Sequence, residues 1–91
     1  MFKVSVVLQP EGGWEGIPTE HQHQVDCADE MPYIPQIGSS YEFEIANGDL
    51  SGGIIEGVTY YKHDKSIQIV VEVPRHLWEP DEFLPKGWKI R

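Results

Sequence analysis

Apolar side chains recur at every second position in several short stretches of the chain, and Gly or Pro residues separate these stretches. Successive side chains of a β-strand point to opposite faces, so this spacing predicts half-buried strands. Residues 2–9, 40–46 and 66–73 have this spacing, and residues 53–62 are rich in β-branched and aromatic side chains. No predicted helix is longer than two turns. The chain is therefore expected to be all-β.

Turn-forming residues fall between the predicted strands. Asn47 and Gly48 accept positive φ at low cost, so they predict a tight reversal of the chain. Residues 63–65 predict a second tight turn, and Gly57 predicts a bulge within its strand. Two Pro and three Gly in residues 10–18 predict a long first loop.

The last part of the chain changes character. Residues 79–84 predict one helical turn, because Pro80 suits the first helical position and the acidic residues after it suit the positive end of the helix dipole. Residues 88–91 predict a short closing strand. Small barrels need side chains that cover their open ends, so the C-terminal aromatic residues are expected to plug the core: Trp78, Phe83 and Trp88.

Five or six short strands in 91 residues predict one small domain spanning residues 1–91. A strongly bent antiparallel barrel is expected rather than two full sheets, because closure hides the strand edges. The long first loop, the Pro-x-x-Gly sequence that leads into a strand and the two tight hairpins resemble the Src-homology and Tudor type of small barrel, here with a C-terminal helical turn. The resemblance is one of architecture, and it assigns no functional residue.

Negative charge is concentrated in the first half of the chain. Fifteen Asp and Glu oppose seven Lys and Arg, and no Lys or Arg lies between Lys3 and Lys62. Nucleic acids and anionic membranes both attract clustered cations, so neither is an expected direct partner. A basic protein partner is expected instead, and self-association stays open. The single Cys27 excludes an internal disulfide, and we expect a cytoplasmic protein.

The most specific local pattern is a pair of His residues followed by the single Cys. Alternation predicts a strand over residues 19–27, with His21, His23 and Cys27 on one face, and residues 28–38 as the connection that follows. Zinc takes nitrogen and sulfur ligands in a tetrahedron, so these three residues form an alternative metal site. The simpler interpretation is a polar strand with one small buried thiol, and no metal or other cofactor is expected.

Catalytic motifs are sparse in the chain. No Gly-x-Ser-x-Gly motif occurs, and the Gly12-Gly13 pair is not followed by the Lys of a phosphate-binding loop. Cys27 could pair with a His as a nucleophile, but a barrel of this size leaves little room for a substrate pocket. The protein is therefore not expected to be an enzyme.

The remaining signal is an aromatic residue within an acidic loop. Trp and Tyr dominate binding hot spots, and an aromatic ring with an acidic rim suits a basic peptide. The predicted function is a non-enzymatic interaction module for a basic protein, and the alternative is an acidic mimic of nucleic acid that inhibits a DNA- or RNA-handling protein. The predicted contact residues are Trp14, Glu11, Glu15, Glu42, Glu44 and Tyr61.

Overall fold

The computed structural model describes residues 2–90. Its six strands are β1 (Phe2–Pro10), β2 (Val25–Met31), β3 (Ser40–Glu44), β4 (Leu50–Tyr61), β5 (Ser66–Val73) and β6 (Lys89–Ile90). One short helix, α1 (Pro80–Phe83), and three single 3₁₀ turns, Thr19–His21, Arg75–Leu77 and Leu84–Lys86, complete the described part of the chain. No described helix has the length and hydropathy needed to cross a membrane.

The strands form one sheet in the order β3-β4-β5-β1-β2-β6. Four of the neighbouring pairs are antiparallel, but β1 and β5 run parallel, with Val6 opposite Ile69. The prediction of a purely antiparallel sheet is therefore wrong. A hairpin cannot join parallel strands, and here the whole segment from β2 to β4 serves as the connection between β1 and β5.

The sheet curls into a half-barrel whose edge strands, β3 and β6, do not pair with each other in the described chain, so the predicted closed barrel is also wrong. The C-terminal segment covers the opening instead. The Phe43 ring of β3 lies 5.2 Å from the Phe83 ring and 5.1 Å from the Trp88 ring, between centroids. The Ala46 amide donates a hydrogen bond of 2.9 Å to the Glu82 carbonyl. Aromatic packing thus takes the place of strand pairing.

The core lies on the inner face of the curled sheet. Apolar side chains from β1, β2, β4 and β5 meet there, and burying such area is the main favourable term in folding. The expectation that Trp78, Phe83 and Trp88 plug the core is confirmed, because all three are buried. The strand residues that they cover include Val4, Val6, Leu8, Val25, Ile55, Ile67, Ile69, Val71 and Val73.

The predicted strand over residues 19–27 is wrong in its first part. Thr19–His21 form a 3₁₀ turn, and the Gln22 side chain donates a hydrogen bond of 2.7 Å to the Ile17 carbonyl. The Gln22 side chain therefore hydrogen-bonds to the backbone of the preceding loop and does not line a sheet. β2 begins at Val25 and continues to Met31, inside the stretch predicted to be a connection.

Local turn chemistry is predicted more accurately than the sheet order. The register of β4 against β5 shifts between Ile55 and Gly57, which confirms the predicted bulge. The Asn47 side chain accepts a hydrogen bond of 2.9 Å from the Asp49 amide, and Gly48 has a φ of 89°, as the predicted reversal requires. Pro80 is the first residue of α1, as expected.

Candidate functional site

One end of the outer sheet face collects residues from four strands. Strand register places Ser40, Ile54, Glu72 and Gln9 in one row across β3, β4, β5 and β1. Cross-strand partners share a face, so these four side chains point away from the core. Glu42 lies two positions beyond Ser40 and therefore on the same face. We call this surface, defined by Glu11, Glu42, Glu56 and Glu72, the acidic face.

Three of its carboxylates lie close together. Burial raises the pKa of Glu72, and a hydrogen bond with Glu56 and the negative charges of Glu56 and Glu11 raise it further. The Gln9 side chain donates a hydrogen bond of 3.3 Å to Glu56, and the Gln24 side chain donates one of 3.2 Å to Gln9. The cluster therefore accepts a hydrogen bond from a side-chain amide, and its carboxylates are close enough to affect one another's charge.

No base neutralises this cluster in the described part of the chain. Ion pairs among residues 2–90 are confined to His21 with Asp81, His63 with Asp64, and Lys86 with Glu44. The Lys86 Nζ atom lies 2.9 Å from the Glu44 carboxylate, so Glu44 already has a partner. The four carboxylates of the acidic face make no ion pair of their own.

Two apolar side chains of β4 are exposed on this side of the sheet, Leu50 and Ile54. The Gly52–Gly53 pair between them allows close strand contact, because a Cβ atom at Gly53 would lie 2.1 Å from the Glu72 carbonyl oxygen. Ile54 lies opposite Glu72, and Leu50 lies opposite Glu44, so the acidic face combines carboxylates with exposed apolar area. Alternation along β5 predicts that Glu72 points outward. The place of Glu56 on the acidic face depends on the bulge between Ile55 and Gly57.

The first loop, residues 11–18, lies against the body of the protein. Arg75 donates hydrogen bonds to the carbonyls of Glu11, at 3.0 Å, of Gly13, at 2.8 Å, and of Glu15. Trp14 is half-buried and packs edge-on against Trp78, with 5.6 Å between the ring centroids. Of the predicted contact residues in this loop, Glu11 belongs to the acidic face, and Trp14 packs against the periphery of the core.

Tyr61 is not brought together with the other predicted contact residues. It lies at the far end of β4, opposite Ser66. Seven positions separate it from Ile54, or roughly 23 Å along an extended strand. Its hydroxyl donates a hydrogen bond of 3.5 Å to Gln68. The structure therefore groups Glu42, Glu44 and Glu11 at one end of the sheet and leaves Tyr61 at the other.

Cys27 faces the inner side of β2, next to Tyr41. Burial raises the pKa of the Cys27 thiol to about 11, and the charge of Asp29 adds to this effect. Burial also raises the pKa of Tyr41 above its usual range, and the Tyr41 hydroxyl donates a hydrogen bond of 3.0 Å to Asp29. Because the thiolate is the reactive form, a thiol with this pKa is a poor nucleophile at neutral pH.

The predicted ligands of the alternative metal site lie apart. His21 ends a 3₁₀ turn, and its Nε2 atom lies 3.6 Å from Asp81, whereas Cys27 contacts Tyr41. His23 precedes β2 and is half-buried. Within residues 2–90, no three His, Cys, Asp or Glu side chains are close enough together to hold a metal ion. The premise of that alternative, a continuous strand from 19 to 27, is wrong.

A pocket that the sequence does not indicate lies behind residues 32–39, which we call the second loop. Its volume is about 420 Å³. The loop joins β2 to β3, and its end is held by two backbone hydrogen bonds of 2.8 Å, from Gly38 to Ile55 and from Ile55 to Ser39. The pocket is lined by Met31, Tyr33, Ile34, Pro35, Gln36, Ser39, Ser40, Tyr41 and Ile55.

Residues of this pocket are distant in sequence. Met31, Tyr41 and Ile55 come from three strands, and the curl of the sheet brings them together on the inner side.

Comparison of the chain with protein-family models, with curated proteins and with solved structures finds no match.

Proposed function

We propose that this protein is a non-catalytic interaction module whose acidic face binds a basic segment of another protein. The observation that carries the proposal is the cluster of Glu11, Glu56 and Glu72, with which no described base makes an ion pair. Burial raises the pKa of Glu72, and the neighbouring charges of Glu56 and Glu11 add to this effect. A Lys or Arg side chain placed among these carboxylates relieves that repulsion and gains charge-assisted hydrogen bonds.

The exposed Ile54 and Leu50 support the same conclusion. Interfaces combine an apolar centre with a polar rim, and the acidic face has both features. The high pKa of the Cys27 thiol supports a role without covalent catalysis. The proposal places the protein in the cytoplasm, where a single thiol stays reduced.

An acidic mimic of nucleic acid is the alternative that the sequence raises. Each strand of B-DNA carries one negative charge per roughly 3.4 Å of helix axis, in two long rows. The carboxylates of the acidic face form one compact group, and Glu44 at its edge is paired with Lys86. The geometry therefore favours a short basic peptide as the partner.

The test is the binding of a fluorescent octalysine peptide to the wild-type chain and to two double variants. Glu56→Gln/Glu72→Gln removes two charges from the acidic face, and Glu20→Gln/Glu79→Gln removes two exposed charges elsewhere. We expect the first variant to weaken binding at least about fivefold and the control to change it less than about twofold at 0.15 M salt. Equal weakening by both variants, or no binding by the wild-type chain, would contradict the proposal.

A further inference from the structure

We infer that the pocket behind the second loop receives one apolar side chain of the basic segment, while the flanking Lys or Arg residues of that segment lie on carboxylates beside the pocket. The inference rests on the proposed function, which supplies the basic partner. It adds a defined feature of that partner: an aliphatic anchor residue between cations.

The pocket has the size and walls of an anchor site. Its volume of about 420 Å³ lies within the range of ligand pockets, about 300–1,000 Å³. Met31, Ile34 and Ile55 give it apolar walls, and Ser39 and Ser40 add hydroxyl groups. Binding energy in protein interfaces concentrates on a few side chains that fill such pockets.

The second loop presents apolar side chains to solvent beside this pocket. Tyr33 is 67% exposed, Ile34 is 49% exposed and Ile37 is 67% exposed. No charged residue occurs from Met31 to Tyr41, although charged residues make up 24% of the chain. Isolated exposed apolar residues are ordinary, but three in one eight-residue loop concentrate exposed apolar area, which is typical of a binding site.

Charge around the pocket identifies the occupant as basic. Three of the four strand residues that line the pocket have a Glu beside them in sequence: Glu30 precedes Met31, Glu42 follows Tyr41, and Glu56 follows Ile55. Strand register places Glu30 opposite Lys3 and Glu42 opposite Gly52, so Glu42 and Glu56 are the carboxylates with no cation across from them in the sheet. Both belong to the acidic face.

These two carboxylates point to the outer face, whereas Met31, Tyr41 and Ile55 of the pocket belong to the inner face and Ser40 of the pocket belongs to the outer face. A peptide that crosses the second loop can satisfy both, because Lys and Arg carry their charge on long flexible stems. A second copy of this chain is a poor occupant, since two molecules of net charge −8 repel each other. Charge complementarity therefore favours a basic peptide over self-association.

The test compares two nonapeptides that alternate lysine with serine and differ only at the central position, which is glycine in one and leucine in the other. Calorimetric titration should show the leucine peptide binding at least about tenfold more tightly to the wild-type chain, because burying one such side chain is worth about 1.4 kcal/mol or more. Tyr33→Ala/Ile34→Ala should reduce that gain to less than about twofold. Both substituted residues are exposed, so this variant is expected to fold.

Leu77→Ala/Ile90→Ala is the matched control, because it removes two exposed apolar side chains away from the pocket and should leave the tenfold gain intact. If the glycine peptide binds and Glu56→Gln/Glu72→Gln weakens it, but leucine adds nothing, the anchor is wrong and the proposed function stands. A gain that survives in Tyr33→Ala/Ile34→Ala also overturns the anchor site. Sedimentation that shows a dimer abolished by Tyr33→Ala/Ile34→Ala overturns it as well, since the chain would then cover its own pocket.

Discussion

The first and second loops have the same length, eight residues each, but the first packs against the core and the second is largely exposed to solvent. In the first loop Ile17 is buried, Trp14 packs on Trp78, and three carbonyls accept hydrogen bonds from Arg75. In the second loop only Pro35 is buried, and the larger apolar side chains face solvent.

The difference between the loops arises from residues distant in sequence. Both loops contain an aromatic residue, an isoleucine and proline. Arg75 and Trp78 follow β5, more than fifty positions after the first loop, and they supply the hydrogen bonds and the ring that hold it. No side chain donates a hydrogen bond to the second loop in the described structure, where the distant donor is the Ile55 backbone amide at its end. Local composition therefore indicates where a loop lies, and distant side chains decide whether it is part of the core.

The largest expected effect comes from removing the residue on which the first loop packs. Trp78→Ala should lower the free energy of unfolding by about 3–5 kcal/mol, because truncating a buried aromatic residue leaves a cavity. It also removes the hydrogen bond of 2.9 Å that the Trp78 indole donates to the His21 carbonyl. Urea unfolding measures the loss. The neighbouring, exposed Leu77→Ala should cost less than about 0.5 kcal/mol.

A matched pair of aromatic substitutions tests the comparison directly. Trp14→Ala should cost about 2 kcal/mol of unfolding free energy, because its half-buried ring packs edge-on against Trp78. Tyr33→Ala should cost less than about 0.5 kcal/mol, because its side chain is exposed. Equal losses of unfolding free energy in urea would mean that the two loops pack against the core to the same extent.

Alkaline pH probes the inner face of β2 at Cys27, next to Tyr41. The Cys27 thiol titrates near 9.0 in the unfolded chain and at about 11 in the folded protein, so folding favours the neutral thiol. Its contribution to stability is complete below pH 9 and is lost as the pH rises through 11. Subtracting the profile of Cys27→Ala from the wild-type profile should isolate a loss of about 1–2 kcal/mol over this window. A difference between the two profiles that does not change with pH would mean that the Cys27 thiol is exposed to water.

The smallest expected effect is a gain in stability. Glu72→Gln should raise the free energy of unfolding at pH 7 by a few tenths of a kcal/mol, because it relieves repulsion that solvent already screens. The folded-state pKa of Glu72 is raised, so the wild-type chain loses stability as the pH rises above the ordinary Glu pKa of 4.5. Thermal unfolding of both chains from pH 4 to 7 should show the gain only toward the upper end. A destabilised Glu72→Gln chain would mean that the carboxylate is needed for folding.

Sequence patterning predicts most strands of this fold, because alternation and turn chemistry are local. It identifies β1, β3, β4 and β5, the bulge at Gly57 and the helical turn at Pro80. It fails at residues 19–24, where polar side chains alternate but bond to the preceding loop. The parallel pairing of β1 with β5 depends on contacts about sixty positions apart, which no local pattern encodes.

The candidate site, like the fold, is only partly predictable from the sequence. The concentration of acidic residues before Lys62 is visible in the sequence, and alternation indicates that Glu42 points outward. The cluster of Glu56 and Glu72 needs the strand register and the bulge. The pocket behind the second loop needs three strands to meet. The exposure of Tyr33, Ile34 and Ile37 in that loop cannot be read from the sequence, because the same residues could equally be buried.

The central claim is that the acidic face and the second loop together form the binding surface. Its most direct test is to titrate the ¹⁵N-labelled chain with the leucine-centred lysine peptide and to map the amide shifts by NMR. We predict that the largest shifts fall in residues 30–42, 52–57 and 70–73 and that residues 13–18 of the first loop change little. Shifts centred on Trp14 and its neighbours, with residues 32–39 unaffected, would contradict it.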